Sequence, residues 1–238
     1  MPSLKGKVAL ITGGFGALGM EVCRRFLREG ARVAMPSRPG SKSPELPGDL
    51  RAAGAALFTG DADLEREEQV RAFVAKASAA LGPVDILINA AGGYAGGEPI
   101  GDVAAETLDR MLALNLKTAF NMCSALLPTM RQRNSGRIIS IAAKTALVPA
   151  AKKGPYAIAK RAVITLTETI AEEVRGTGIT ANAIAPAIIV TPANVASMPG
   201  ADTSAWVTPA ELASLMVFLC SDEARSVNGT VLRAFGGV

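Results

Sequence analysis

The sequence predicts an α/β fold, a doubly wound parallel sheet of about seven strands with helices on both faces, built as a single domain over residues 1–238. Three observations predict it. Short apolar runs with the length of buried strands alternate seven times with helical patterns. The first strand and helix are joined by a glycine turn, GGFGALG at 13–19. No repeat or linker divides the 238 residues, of which 49% are hydrophobic and 19% charged. A chain of this length buries one substantial core.

In chain order, 8–11 is an apolar run suited to a parallel strand covered on both faces. After Thr12 and the glycine turn, apolar residues at Met20, Val22, Cys23, Phe26 and Leu27 keep helical spacing to residue 29. Strand, glycine turn and helix form the context in which glycines let a backbone approach a pyrophosphate at a helix N-terminus. The same residues also describe a tight turn with no ligand. A second strand, 32–35, follows the cap-like Gly30 and ends at Ser37-Arg38. In dinucleotide folds an acid at this point takes the ribose of NAD, and an arginine suits a 2′-phosphate. Residues 39–48 read as a Pro/Gly/Ser-rich loop and 55–59 as a third strand. Asp63 and Leu64 then lead into a helix over 66–80, and 84–88 is a fourth strand running into Asn89-Ala90-Ala91-Gly92. The loop beyond it carries one aromatic, Tyr94, able to stack on a flat ligand or to tuck against the surface. One long helix is expected over 104–131, with Asn115 on its apolar side, where it must find partners. Residues 137–141 form a fifth strand, a helix reaches 174, and 180–184 form a sixth strand. Residues 187–207 read as a long loop of the kind that serves as a lid. Thr208, Pro209 and Glu211 open a helix as a capping box, and 230–233 form the last strand. The strand ends bring the glycine turn, Ser37-Arg38, Asp63, 89–92, 142–144 and 186–191 to one cleft.

Composition removes several function classes. The chain has no histidine, which excludes Ser-His-Asp and Cys-His catalysis and His-ligated metal sites within it. Its net charge of +4 comes from dispersed basic residues, a pattern that does not suit nucleic acid. Cys23, Cys123 and Cys220 lack metal or disulfide spacing and read as reduced thiols. No metal site is expected. The start, MPSLKGKVALITGG, lacks signal-peptide architecture, and no apolar stretch reaches membrane-spanning length, so a cytoplasmic protein is expected.

Without histidine, proton transfer falls to Tyr, Lys, Asp or Glu. Tyr156 and Lys160 stand four residues apart, on one face if the segment is helical. An ammonium at that range favours the phenolate and would bring the tyrosine into use near neutral pH. The spacing alone also describes a half-buried tyrosine beside a solvated lysine.

Taken together, TGGFGALG, Asn89-Ala-Ala-Gly92, Asn115, Tyr156-Ala-Ile-Ala-Lys160, Pro186 with Thr191, and the terminal GTVLRAFGG resemble the short-chain dehydrogenase/reductase family over essentially the whole chain. The resemblance implies a Rossmann-type fold, a nicotinamide cofactor, a small-molecule substrate and a homo-oligomer, dimer or tetramer. Tyr156 would be the catalytic acid/base, Lys160 would lower its pKa and hold the nicotinamide ribose, and Asn115 would hold a water in a proton relay. Cofactor contacts would come from Gly13, Phe15, Gly16, Ala17 and Leu18, then from Ser37, Arg38, Asp63 and Leu64. Asn89, Ala90 and Gly92 would continue the set, with Pro186, Ile189 and Thr191 at the last strand. Ser37-Arg38 without an acid favours NADP(H) over NAD(H).

Two positions depart from the family pattern. Ala17 stands where a third glycine is usual. Ala143 stands thirteen residues before Tyr156, where the family has a substrate-orienting serine. Together with AGGYAGG and AAKTAL, these departures are similar to the quinonoid dihydropteridine reductase branch, whose conjugated C=N substrate does without that hydroxyl. The expected function is therefore NADPH-dependent reduction of a flat conjugated substrate such as a quinonoid dihydropterin, with Tyr94, Ala143, Lys144 and Thr145 lining the substrate side. The alternatives are a carbonyl reductase in which Thr145, Lys144 or water replaces the serine, and a non-catalytic NADP(H)-binding sensor.

Overall fold

The computed structural model of the protein describes residues 3–40 and 45–237. Seven strands form one parallel sheet: β1 Val8–Thr12, β2 Arg32–Ser37, β3 Leu57–Asp61, β4 Ile86–Asn89, β5 Gly136–Ile141, β6 Ile179–Pro186 and β7 Val231–Ala234. Their order is β3-β2-β1-β4-β5-β6-β7. The main helices are α1 Ala17–Arg28, α2 Gly48–Arg51, α3 Glu67–Leu81, α4 Ala105–Met111, α5 Thr118–Arg133, α6 Gly154–Glu173, α7 Pro192–Ser197 and α8 Pro209–Cys220. This is the single-domain Rossmann-like architecture that the alternation of elements predicts.

Successive residues of β1 serve opposite faces. Ala9 and Ile11 pack with Val22 and Phe26 of α1 and Leu212 and Met216 of α8. Val8 and Leu10 pack with Val70 and Phe73 of α3 and Met122 and Leu126 of α5. With both faces covered, a strand has no solvent side, so all five residues of β1 are buried and apolar residues run without alternation from Val8 to Ile11. Parallel crossovers point every strand the same way, which gathers the carboxyl ends along one edge.

The structure refines several expected elements. The helix expected over 104–131 is interrupted by a π-helical turn, Leu112–Lys117, that separates α4 from α5. The strand expected from residue 55 starts at Leu57, after a 3₁₀ turn at Gly54–Ala56. The 187–207 segment holds a short helix, α7, and its end is anchored by buried Trp206 and Val207 and by a bridge between Ile189 and Val207. The capping box on α8 is formed, with Thr208 Oγ1 accepting from the Glu211 amide at 3.2 Å and Glu211 Oε2 accepting from the Thr208 amide at 2.7 Å. In the expected 39–48 loop, residues 41–44 lie outside the described residues, and Gly48 already belongs to α2. Cys23, Cys123 and Cys220 are free and buried. Among the described residues no helix is long and apolar enough to cross a membrane, and no cluster suits a metal ion.

Candidate active site

The turn after β1 works because its glycines have no side chains. Gly13 has φ +67, and a Cβ there would lie 2.8 Å from the Ala90 carbonyl oxygen. A Cβ on Gly19 would lie 2.2 Å from the Gly13 carbonyl oxygen, so only glycine lets α1 start so close to β1. The N-cap of α1 is Gly16, which offers no side-chain cap and leaves the leading N–H groups of the helix open to an anion. Thr12 fixes the opposite wall. Its hydroxyl donates to the Ile88 carbonyl at 3.3 Å and accepts from the amides of Ala90 and Ala91 at 3.1 and 3.0 Å.

Two adjoining cavities follow the carboxyl edge. One, of about 300 Å³, is lined by Gly13, Phe15 and Gly16, by Pro36, Ser37 and Arg38, by Ala62 to Glu65, and by Ala91, Gly92, Leu114 and Thr118. The other, of about 400 Å³, shares Gly13 and Gly16 and adds Ala17, Leu18, Gly19, Ala90 and Thr191 to Ala193. Most of the residues that sequence reasoning assigned to a cofactor therefore meet around one continuous cleft. Asn89 does not. Its side chain turns into the sheet, with Nδ2 3.4 Å from Cys123 Sγ and 3.5 Å from Ser140 Oγ. Pro186 ends β6, and Ile189 is held by Asn194 Nδ2 on its carbonyl at 2.8 Å. Neither lines either of these two cavities.

At the far side of Gly92 stand the groups suited to proton chemistry. Tyr156 is the third residue of α6, and Lys160 follows one turn later. The Lys160 ammonium is buried, donates to the Ile141 carbonyl at 2.8 Å and lies 5.9 Å from the Tyr156 ring centre. Asn115, in the π turn, donates from Nδ2 to the carbonyls of Met111 at 2.9 Å and Gly93 at 3.1 Å and accepts from the Gly93 amide at 3.3 Å. A π turn gives up regular i→i−4 bonding, and here it lets a polar side chain reach out of an apolar helix face to grip the loop after β4. Asn115 and Lys160 close on Gly92 together: a Cβ there would lie 2.5 Å from Asn115 Oδ1 and 3.3 Å from Lys160 Nζ.

The electrostatics correct one expectation. Burial, and secondarily the Tyr94 phenol, pushes Tyr156 up to about 12 from 10.0. Burial likewise pushes Lys160 down to about 8 from 10.5. The lowering of Tyr156 by the neighbouring ammonium is therefore not what prevails here. Desolvation is the leading cause of the shift, and the Lys160 ammonium hydrogen-bonds the Ile141 carbonyl.

The residues expected on the substrate side lie on two loops. Tyr94 stacks edge-on against Tyr156, with ring centres 5.1 Å apart and planes at 78°, and is 59% exposed. Its loop is latched to the segment before α6: Gly97 donates to the Lys152 carbonyl at 2.8 Å, and Lys152 itself is left-handed at φ 61. Below, Ala143 is buried at the end of β5. Lys144 sits over the Phe235 ring, 5.3 Å from its centre, and Thr145 Oγ1 is buried without a hydrogen-bond partner.

Sequence reasoning missed Thr12, Asp61, Glu65, Leu114 and Thr118. Thr12 had a usable signal, since it directly precedes the glycines. Asp61 and Glu65 had none: Asp61 meets Ser37 through the β2–β3 register, and Glu65 reaches Arg38 from the turn after β3.

A glycine cradle that a Cβ would fill, an uncapped helix end and a Tyr-Lys-Asn set beside Gly92, where that cleft ends, fit a nicotinamide dinucleotide, and they define the class as NAD(P)-dependent oxidoreductases. The family model for short chain dehydrogenases matches residues 7–201, and the chain belongs to that family. D-beta-hydroxybutyrate dehydrogenase of Cupriavidus necator is 31% identical over 256 residues, with 98% of each chain covered. The uncharacterized oxidoreductase YvrD of Bacillus subtilis is 32% identical over 258 residues, covering 99% of this chain and 97% of the relative. Among solved structures, levodione reductase superposes with a TM-score of 0.87 at 30% identity, covering 98% of this chain and 97% of that one. These relatives support an NAD(P)-dependent reductase or dehydrogenase, not a silent binding protein. They take the chain to the family and not to its dihydropteridine reductase branch.

Proposed function

We propose that this protein is an NADPH-dependent reductase of a flat, conjugated acceptor of the quinonoid dihydropterin type, with Tyr156 as proton donor. The observation that carries this is Ala143. A buried methyl group occupies the position from which a hydroxyl would polarise a carbonyl oxygen, so the acceptor must be polarised by its own conjugation. When bound, the cofactor supplies the hydride. A phenol pushed up to about 12 keeps its proton at neutral pH, so Tyr156 enters the reaction in its acid form. Lys160 and Asn115 hold the strand-end backbone around that phenol, through Ile141 and Gly93. The exposed face of Tyr94 supplies a stacking surface beside it.

The 187–207 segment, hinged at the anchored Val207 end and carrying α7, acts as the lid over this site. Ser37 and Arg38 take the 2′-phosphate. The protein works in the cytoplasm as a homo-oligomer, and exposed Phe120 on α5 and Ile158 on α6 supply apolar surface for that contact.

Initial rates of NADPH oxidation with quinonoid dihydropterin and with simple ketones test the reading. Dihydropterin turnover and a gain of ketone turnover in Ala143→Ser are expected, and turnover of ketones alone would sink it. One observation favours a second reading, carbonyl reduction. The buried, unpartnered Thr145 Oγ1 lies two residues beyond Ala143 and could serve as the replacement donor. The hydroxybutyrate dehydrogenase relatives suit that chemistry by name. Under it the unmodified protein reduces ketones, and Thr145→Val loses that activity.

A further inference from the structure

The two side chains assigned to the 2′-phosphate are both engaged by carboxylates. Ser37 Oγ lies 2.6 Å from Asp61 Oδ1 and 3.3 Å from the Gly60 carbonyl. A hydroxyl has one proton to donate, and the shorter, charge-assisted bond to the carboxylate takes it. Arg38 Nη2 lies 3.2 Å from Glu65 Oε1, at the mouth of the cleft that both residues line. The first pairing is built into the sheet, because Ser37 and Asp61 are register partners on β2 and β3. The acid that β2 lacks at its end is thus supplied by its neighbour. Asp61 is solvent-exposed, so its second carboxylate oxygen can accept from a ribose hydroxyl.

We propose that Asp61 and Glu65 set the cofactor selectivity of this enzyme. Asp61 serves as the ribose acceptor for NADH from β3, and Glu65 competes with the 2′-phosphate for Arg38. The chain is then a dual-specificity enzyme whose arginine gives only a modest preference for NADPH. This rests on the reading of Ser37 and Arg38 as the 2′-phosphate site. A 2′-phosphate must displace Glu65 from Arg38 and sit beside the Asp61 charge, while a 2′-hydroxyl meets an acceptor already in place.

Equilibrium binding tests this without turnover. NADH, NADPH and the non-reducible fragments ADP-ribose and 2′-phospho-ADP-ribose are titrated by calorimetry into the unmodified protein and into Asp61→Asn, Glu65→Gln and Arg38→Leu. Both acid substitutions are near-isosteric, Asp61 being exposed and Glu65 half-buried. The unmodified protein should prefer NADPH by less than about tenfold. Glu65→Gln should tighten NADPH about three- to fivefold, the scale of releasing one exposed ion pair, and leave NADH unchanged. Asp61→Asn should weaken NADH and ADP-ribose about three- to tenfold and tighten their phosphorylated forms, the range of one ordinary hydrogen bond. If Arg38→Leu weakens NADPH while neither acid substitution moves the NADPH/NADH ratio, the 2′-phosphate site stands and this proposal is overturned. If Arg38→Leu leaves NADPH binding unchanged, both fall.

Discussion

The two ends of the cleft are built on opposite principles. At the Tyr156 end, Lys160 and Asn115 are buried and spend their hydrogen bonds on backbone, on Ile141, Gly93 and Met111. At the Ser37 end, Arg38 is exposed and bonded to another side chain, Glu65. Backbone partners cannot rotate away, so the first end fixes geometry within a fraction of an ångström, as proton transfer needs. Side-chain partners at a surface exchange readily and are worth little individually. On the proposed reading, the second end can therefore retune which cofactor is accepted without disturbing the chemistry.

Substitutions should separate the ends in kind as well as in size. Tyr156→Phe should lower kcat by about 10²- to 10⁴-fold with cofactor affinity unchanged, measured by NADPH oxidation alongside calorimetry. Asn115→Ala should leave the Gly93 amide and carbonyl and the Met111 carbonyl without their partner, at a cost of about 2–4 kcal/mol in urea unfolding. If that variant lost activity with full stability, the backbone-locking role given to Asn115 would be wrong.

Lys160 gives a pH signature. Its folded pKa of about 8 lies below its ordinary 10.5, so between those values the unfolded chain binds more protons than the native one. Its contribution to stability therefore rises as pH increases through that window, on the order of 3 kcal/mol in all. Tyr156, raised to about 12, acts in the opposite sense, its contribution falling between pH 10 and 12. The difference in unfolding free energy between the unmodified protein and Lys160→Met, followed from pH 7 to pH 10, isolates the lysine. A flat difference would mean that the ammonium is not desolvated. The smallest effect belongs to the exposed end, where Arg38→Leu should weaken NADPH about tenfold and NADH little, with kcat unchanged at saturating cofactor.

The same contrast decides what could be read from the sequence. The sheet was legible because strands covered on both faces appear as continuous apolar runs, as in Val8 to Ile11 of β1 and Ile86 to Ile88 of β4. Tyr156 and Lys160 were legible because one helix carries both at fixed spacing. Asn115 was visible as a polar residue on an apolar face, but the π turn that lets it reach Gly93 leaves no periodic mark. The Ser37–Asp61 and Arg38–Glu65 pairs were not legible: strand order brings Ser37-Arg38 and Asp63 to one cleft, but which side chains bond there depends on the β2–β3 register and on the turn after β3. The direction of the Tyr156 shift was misread because spacing reports proximity to a charge and says nothing of desolvation.

The central claim is that Tyr156 alone donates the proton, to an acceptor that needs no second hydroxyl. Its most direct test is the rate of NADPH oxidation by the unmodified protein with quinonoid dihydropterin, set against a panel of simple ketones, with Tyr156→Phe as control. Turnover of the conjugated acceptor, lost in Tyr156→Phe and absent with the ketones, is the predicted result. Turnover of the ketones without the conjugated acceptor would contradict it.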